Sequence, residues 1–220
     1  EFETTKTQQE LVEESLAKPY GSPSLEELCA GKKDIVIISS DHTRPVPSRV
    51  TMPILLHHIH TAAPEARVRI LVATGMHRPS THEELVDKYG EEIVANEEIV
   101  MHVATDDSMM KKIGTLPSGG ECIINKIAAD CDLLLAEGFI EPHFFAGFSG
   151  SRKSVLPGVA SYKTIMYNHN GQFVNDSHSR AGNLCHNHVS EDMFAAAEMA
   201  HLAFVLNVVL NGKHEVIGSF

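Results

Sequence analysis

The chain has 220 residues, 43% of them hydrophobic, which is enough for one large or two small domains with real cores. A formal net charge of -11 and a pI near 5.6 argue against the basic patch that nucleic acid or an anionic membrane would require. No apolar run approaches the roughly 20 residues of a membrane span, and the opening Glu-Phe-Glu-Thr-Thr-Lys lacks a signal-peptide core. Cys29, Cys122, Cys131 and Cys185 are scattered without a CxxC pair, as in the free thiols of a cytoplasmic protein.

In chain order, the opening stretch to about Lys18 reads as an amphipathic helix. Ser24 to Cys29 reads as a short helix with Ser24 three residues ahead of Glu27. Ile35-Val-Ile-Ile38 is an apolar run of the kind buried in a parallel sheet. A polar loop, 39–47, leads to a helix from about Ser48 to His60, whose His57, His58 and His60 are expected on its surface. Val68 to Ala73 is the next strand and 74–79 the next loop. Thr81 to Tyr89 is a helix, extended or followed by 90–95, and Glu98 to Val103 a strand. Ile113-Gly-Thr-Leu-Pro and Glu121 to Asn125 form two strands across a Ser-Gly-Gly turn, and Leu133 to Ala136 is a buried strand before a long loop, 137–157. Helices at Ser161 to Asn168 and Glu191 to Met199 precede a closing hairpin with an Asn-Gly turn. Strand, polar loop and helix in repetition predict an α/β fold, Rossmann-like, with a mostly parallel sheet flanked by helices. Both ends read as cut, so a longer parent chain is expected.

Three loops carry chemistry, and all follow apolar strands, so they are expected to converge at one sheet edge. The first is Ser39-Ser-Asp-His-Thr-Arg-Pro-Val-Pro47. Arg44 suits a phosphate or carboxylate; equally, Asp41 and Arg44 could pair with each other or cap the next helix. The second is Ala-Thr-Gly-Met-His-Arg-Pro, where His77 reads as an acid/base group or as a surface histidine bonded to backbone. The third holds His143 among Phe144, Phe145 and Phe148, expected to form a dry wall, then Ser149, Gly150 and Ser151 as phosphate donors. Arg152 and Lys153 could act there as a phosphate clamp. His169 ends the helix that follows, and an imidazole there suits nickel, copper, zinc or iron alike. His186 and His188 are a weaker metal pair.

These signatures, in this order and spacing, resemble those of the nickel-dependent lactate racemase family, including Ala-Thr-Gly-Met-His-Arg-Pro-Ser-Thr-His-Glu-Glu-Leu and His-Phe-Phe-Ala-Gly-Phe-Ser-Gly-Ser-Arg-Lys-Ser-Val-Leu-Pro-Gly. The resemblance runs along essentially the whole chain. It implies a nickel-pincer nucleotide, a pyridinium-3,5-dithiocarboxylic acid mononucleotide with nickel, covalently attached at Lys153 by a thioamide. It implies His169 as the protein ligand to nickel, and His77 and His143 as the two acid/base histidines. Asp41, Arg44, Ser149 and Gly150 are expected around the cofactor. The implied reaction interconverts the enantiomers of a 2-hydroxy acid, first of all lactate, by proton-coupled hydride transfer to the tethered cofactor. The implied partners are a small 2-hydroxy acid and the proteins that make and install the cofactor.

Ser151 departs from the family, which often has a second glycine there. The family also has a second domain of similar size that supplies substrate contacts, so residues 1–220 are expected to be the cofactor-bearing N-terminal domain. Malate or another 2-hydroxy acid stays open as substrate. A non-catalytic nucleotide-binding module and a zinc hydrolase built on His77, His143 or His186 are the competing classes. Nothing in the sequence fixes an oligomeric state.

Overall fold

A computed structural model describes residues 4–150 and 152–220. Local signals start the first helices. Thr7 and Glu10 form a reciprocal capping box for α1 (Gln8–Ala17), and Ser24 and Glu27 do the same for α2 (Leu25–Cys29). Helix thus begins at Gln8, and the part of that expectation covering residues 1–3 lies outside the described residues. The chain continues through β1 (Asp34–Ser40), α3 (Ser48–Ala62) and β2 (Arg67–Ala73). Next come α4 (His82–Tyr89), opened by a Thr81–Glu84 capping box, α5 (Glu91–Asn96) and β3 (Glu98–Met101). The strand expected to Val103 stops at Met101. His102 leaves it with its ring buried against the Ala160 carbonyl, 2.9 Å from Nε2.

A two-stranded ribbon, β4 (Met110–Thr115) and β5 (Glu121–Asn125), and α6 (Lys126–Asp130) lead to β6 (Leu133–Phe139). The long third loop is not structureless. It contains a small hairpin, β7 (Pro142–His143) and β8 (Gly147–Phe148), and the single turn α7 (Arg152–Val155). Then follow α8 (Tyr162–Asn168), α9 (Gly171–Val174), α10 (His188–Met199), β9 (Leu202–Leu210) and β10 (Val216–Ser219).

The main sheet has the order β10-β9-β6-β1-β2-β3, parallel except for β10, which pairs antiparallel with β9. Because side chains alternate along a strand, the uninterrupted run of β1 feeds two cores. Ile35 and Ile37 pack with Leu55, Ile59 and Leu135 on the α3 side, while Val36 and Ile38 pack with Leu134, Val155 and Met193 on the other. Being buried on both faces is why these strands are apolar without interruption.

The order places β2 and β3 on one side of β1, and β6 and β9 on the other. The chain leaves β1 through α3 on one face and leaves β6 through the β7–β8 hairpin, α7 and α10 toward the other. Loops departing in opposite directions leave a crevice beyond the carboxyl ends of those two strands, where ligands bind in such sheets.

Candidate active site

The crevice is a cleft of about 340 Å³ lined by residues from all three loops, among them Asp41, Arg44, His77, His143 and Lys153, and by His169 from the end of α8. Ser149 and Gly150 also face it. The convergence expected from their placement after apolar strands is present. Two glycines bring the second and third loops together. A Cβ on Gly158 would lie 2.2 Å from the Ser154 carbonyl oxygen and 2.9 Å from Ala73 Cβ, so only glycine lets this backbone approach β2. Gly75, at φ +53°, donates its N–H to the Gly158 carbonyl at 2.9 Å and turns the chain toward His77.

Asp41 is buried at 1% exposure and does not pair with Arg44. Its Oδ1 accepts from the Thr43 N–H (3.0 Å) and hydroxyl (2.6 Å), and its Oδ2 lies 2.6 Å from His77 Nδ1. Burial works against this charge, but the bonds from Thr43 and then His77 outweigh it and hold the carboxyl below its ordinary range. A carboxylate only accepts, so the neutral His77 ring carries its proton on Nδ1 and its lone pair on Nε2. His77 is therefore held by a carboxylate, not by backbone as a plain surface histidine would be.

His143 has the opposite arrangement. Its Nδ1 accepts the Ala146 N–H at 3.2 Å, so the neutral ring carries its proton on Nε2. The ring stacks on Phe144 and meets Phe145 edge-on, both at 4.6 Å between centroids. Burial, followed by the charge of Lys153 and the neighbouring His169, Arg44 and Arg152, pushes its pKa down to about 4. The aromatic wall is narrower than expected. Phe145 lines the cleft, Phe144 is 75% exposed at its rim, and Phe148 is not among the lining residues.

Lys153 lies on α7 with Nζ 5.6 Å from the Phe145 ring centroid. Burial, then the charges of Arg152 and Arg44, lower its amine to about 7 against a weaker opposing pull from Glu141. His169 caps the C-terminus of α8, its ring edge-on to Phe145 at 5.2 Å. Its Nδ1 is buried with no hydrogen-bond partner, and burial followed by the Lys153 charge lowers the imidazole to about 4. A buried nitrogen without a partner is unusual, and it leaves a lone pair for a metal or donor group in the cleft.

Several sequence readings change. Arg152 is no phosphate clamp: its guanidinium donates to the Ala146 and Phe148 carbonyls, both at 3.0 Å, and lies under the Phe194 ring. The Ser149 hydroxyl is already committed, donating to Phe139 O and accepting from Glu141 N at 2.8 Å each. Ser151, expected in the same phosphate loop, lies outside the described residues. His186 and His188 are exposed, and among the described residues no three His, Cys, Asp or Glu side chains gather to hold a metal on protein ligands alone. Thr43, a hydroxyl the sequence offered to a ligand, is spent on Asp41, and Glu137 went unnoticed in the sequence. The signal for Glu137 was there, since a carboxylate closing an all-apolar strand must be buried with donors.

The lactate racemase N-terminal domain model matches residues 1–182. The lactate racemase of Lactiplantibacillus plantarum is 68% identical over 214 residues, covering 97% of this chain and 50% of that protein. That of Thermoanaerobacterium thermosaccharolyticum is 49% identical over 219 residues, covering 100% of this chain and 51% of the relative. The chain thus spans about half the length of the curated relatives it matches. The solved lactate racemase apoprotein from T. thermosaccharolyticum superposes with a TM-score of 0.96 at 50% identity, over 97% of this chain and 51% of that one. A Thermotoga maritima protein shares the fold, with a TM-score of 0.79 at 22% identity, over 100% of this chain and 55% of that one. With fold, cleft and sequence in agreement, the chain belongs to the lactate racemase N-terminal domain family.

Proposed function

We propose that this chain is the cofactor-bearing domain of a two-domain racemase that interconverts the enantiomers of lactate. The observation that carries the reading is the pair of opposed imidazoles. His77 presents a lone pair at Nε2 and His143 an N–H at Nε2, in one cleft. Interconverting two mirror-image hydroxy acids calls for one group to accept the hydroxyl proton and another to return it. A module that only binds a nucleotide needs neither.

The residues also suit a lysine-tethered nickel-pincer nucleotide. The Lys153 amine, held near neutrality, is a nucleophile fit for acylation, and the unpartnered His169 Nδ1 offers a nickel ligand. When bound, that group would supply the hydride-accepting chemistry. The rest falls to the chain's own side chains. Arg44, at the exposed edge of the cleft, can take a carboxylate or phosphate in a bidentate contact. Asp41 holds His77 in the base-ready tautomer. Acylating Lys153 removes one of the charges that depress His143, moving that imidazole toward the range in which it can carry and release a proton. Proteins that install the cofactor and a small 2-hydroxy acid are the partners this reading requires. We place the protein in the cytoplasm on its scattered, widely spaced cysteines; no helix among the described residues is long and apolar enough to cross a membrane.

The test is chiral analysis of D-lactate given to the intact enzyme, produced together with its maturation proteins, with the Lys153 adduct verified by mass. L-lactate should accumulate. A fully loaded enzyme that leaves D-lactate unchanged would overturn lactate as the substrate. Asp41→Asn should lower kcat on the order of 10²-fold or more, because an amide N–H facing Nδ1 drives the His77 proton onto Nε2.

A further inference from the structure

Glu137 ends the apolar run of β6 at 1% exposure. Its Oε1 accepts from the Ser39 and Ser48 hydroxyls, both at 2.5 Å, and its Oε2 accepts from the Thr51 hydroxyl. Among the described residues no lysine, arginine or histidine ion-pairs with it. A carboxyl buried on hydroxyl donors, with the Lys88 amine near enough to feel it but not paired with it, is costly, so such a group needs a reason to be there.

The identity of the donors supplies one. Ser39 stands at the end of β1, and Ser48 and Thr51 form the first turn of α3. Between them lies the loop that carries Asp41 and Arg44. One carboxylate therefore grips that loop at both ends, and does so from the strand that leads into the His143 and Lys153 segment. The Tyr89 hydroxyl donates to Ser39 Oγ at 2.8 Å, and Lys88 Nζ to Ser40 Oγ at 3.2 Å. Both sit at the end of α4, the helix that follows the His77 loop. Residues 41–46 have few backbone bonds of their own, chiefly Arg44 N–H to Asp41 O (3.3 Å) and Ser48 N–H to Val46 O (2.8 Å). Their place relative to the other two loops depends on side-chain ties, these together with the Asp41–His77 bond and His42 Nδ1 to Ser80 Oγ at 2.9 Å.

We propose that Glu137 is a positioning residue that sets the Asp41–Arg44 loop in register with the His77 loop and the His143–Lys153 segment. It rests on the racemase reading only for the meaning of those residues, since its readout is local order. The experiment is amide hydrogen exchange on the intact protein, with NMR detection of the His77 Nδ1 proton bonded to Asp41. Glu137→Met should speed exchange of the Thr43, Arg44 and Ser48 amides by about tenfold or more and broaden away the Nδ1 signal, while mid-strand β1 and β2 amides stay protected. Glu137→Gln keeps an oxygen for Ser39 and Ser48 and should retain most of the order. The double variant Ser48→Ala, Thr51→Val should loosen the loop as Met does, and it carries the same test if Glu137→Met fails to fold. Unchanged loop exchange would overturn the proposal. So would equal acceleration throughout β1 and β2, which would make Glu137 a general stabiliser, or a Gln variant as loose as Met, which would make charge and not the tie the cause. Each of these outcomes leaves the racemase reading standing, and a failed lactate assay leaves the exchange result standing.

Discussion

Lys153 shows how little of a residue's chemistry lies in its type. A surface lysine is protonated at neutral pH and slow to acylate, whereas burial and two guanidinium neighbours bring this amine to about 7. An amine-selective acylating reagent at pH 7, in limiting amount, should therefore label Lys153 ahead of the exposed lysines, as read by peptide mass mapping of the cofactor-free protein. Its labelling rate should rise with pH and level off above about 7, whereas surface lysines keep gaining reactivity toward their much higher values. A Lys153 profile that tracks the surface lysines would remove the basis for its nucleophilic role. The sequence marked this lysine, along with Asp41, Arg44, His77, His143 and His169, because the motifs around them are distinctive. What it could not convey is which partner each one meets. The Asp41–His77 bond joins residues on two different strand ends, and the lone His169 nitrogen is defined only by what fails to reach it.

Whether an element was readable from sequence depended on what stabilises it. The runs of β1, β2 and β6 declare themselves because burial on both faces demands apolar residues nearly throughout, Arg69 and Glu137 being the buried exceptions, and α2 and α4 carry their capping boxes in sequence. The β7–β8 hairpin, α7 and α9 are too short to be stable by propensity and are held by tertiary contacts instead. Asn187 caps α10 while its amide donates to the Phe145 carbonyl at 2.8 Å. Arg152 does more: from the start of α7 its Nη2 reaches two carbonyls of the hairpin region and its guanidinium packs on Phe194 of α10, so one buried side chain joins the carriers of His143 and Lys153. Arg152→Ala should cost about 1.5–3 kcal/mol in urea unfolding, the range for hydrogen bonds to a charged group. Arg152→Lys should recover only a minor part, because both carbonyls accept from the one nitrogen Nη2, which lies one bond beyond a lysine Nζ, and the flat guanidinium contact with Phe194 is lost. Full recovery by lysine would mean that charge, and not the guanidinium's reach and stacking, holds the hairpin.

Across the described residues, one buried and two half-buried imidazoles are kept neutral in the folded state. His102, His143 and His169 each fall from 6.5 to about 4, with burial the leading cause in all three. In the unfolded chain they regain ordinary values, so between about 4 and 6.5 that state binds more protons than the folded one. Stability must then rise with pH across this window and be lost as pH falls from 6.5 toward 4. Asp41, Glu84 and Glu121, whose carboxyls are lowered, act in the same sense but below about 4.5, where their unfolded counterparts protonate. His58 acts oppositely. Burial opposes its charge, yet the bonds to Glu13 and Glu26 prevail and raise it, so its contribution is complete below 6.5 and fades above. His102 is the cleanest probe, being 1% exposed and not itself a cleft-lining residue, with Nε2 on the Ala160 carbonyl and Nδ1 3.2 Å from the Asn125 amide. Its shift corresponds to on the order of 3 kcal/mol at most when fully developed. Urea unfolding of the cofactor-free protein should show a clear loss of stability from pH 7 to pH 5. His102→Gln should be less stable at pH 7, where a well-bonded imidazole is replaced, yet lose visibly less on going to pH 5. Parallel losses in parent and variant would mean that His102 does not couple folding to protons, and the acid sensitivity would then rest on the two imidazoles in the cleft.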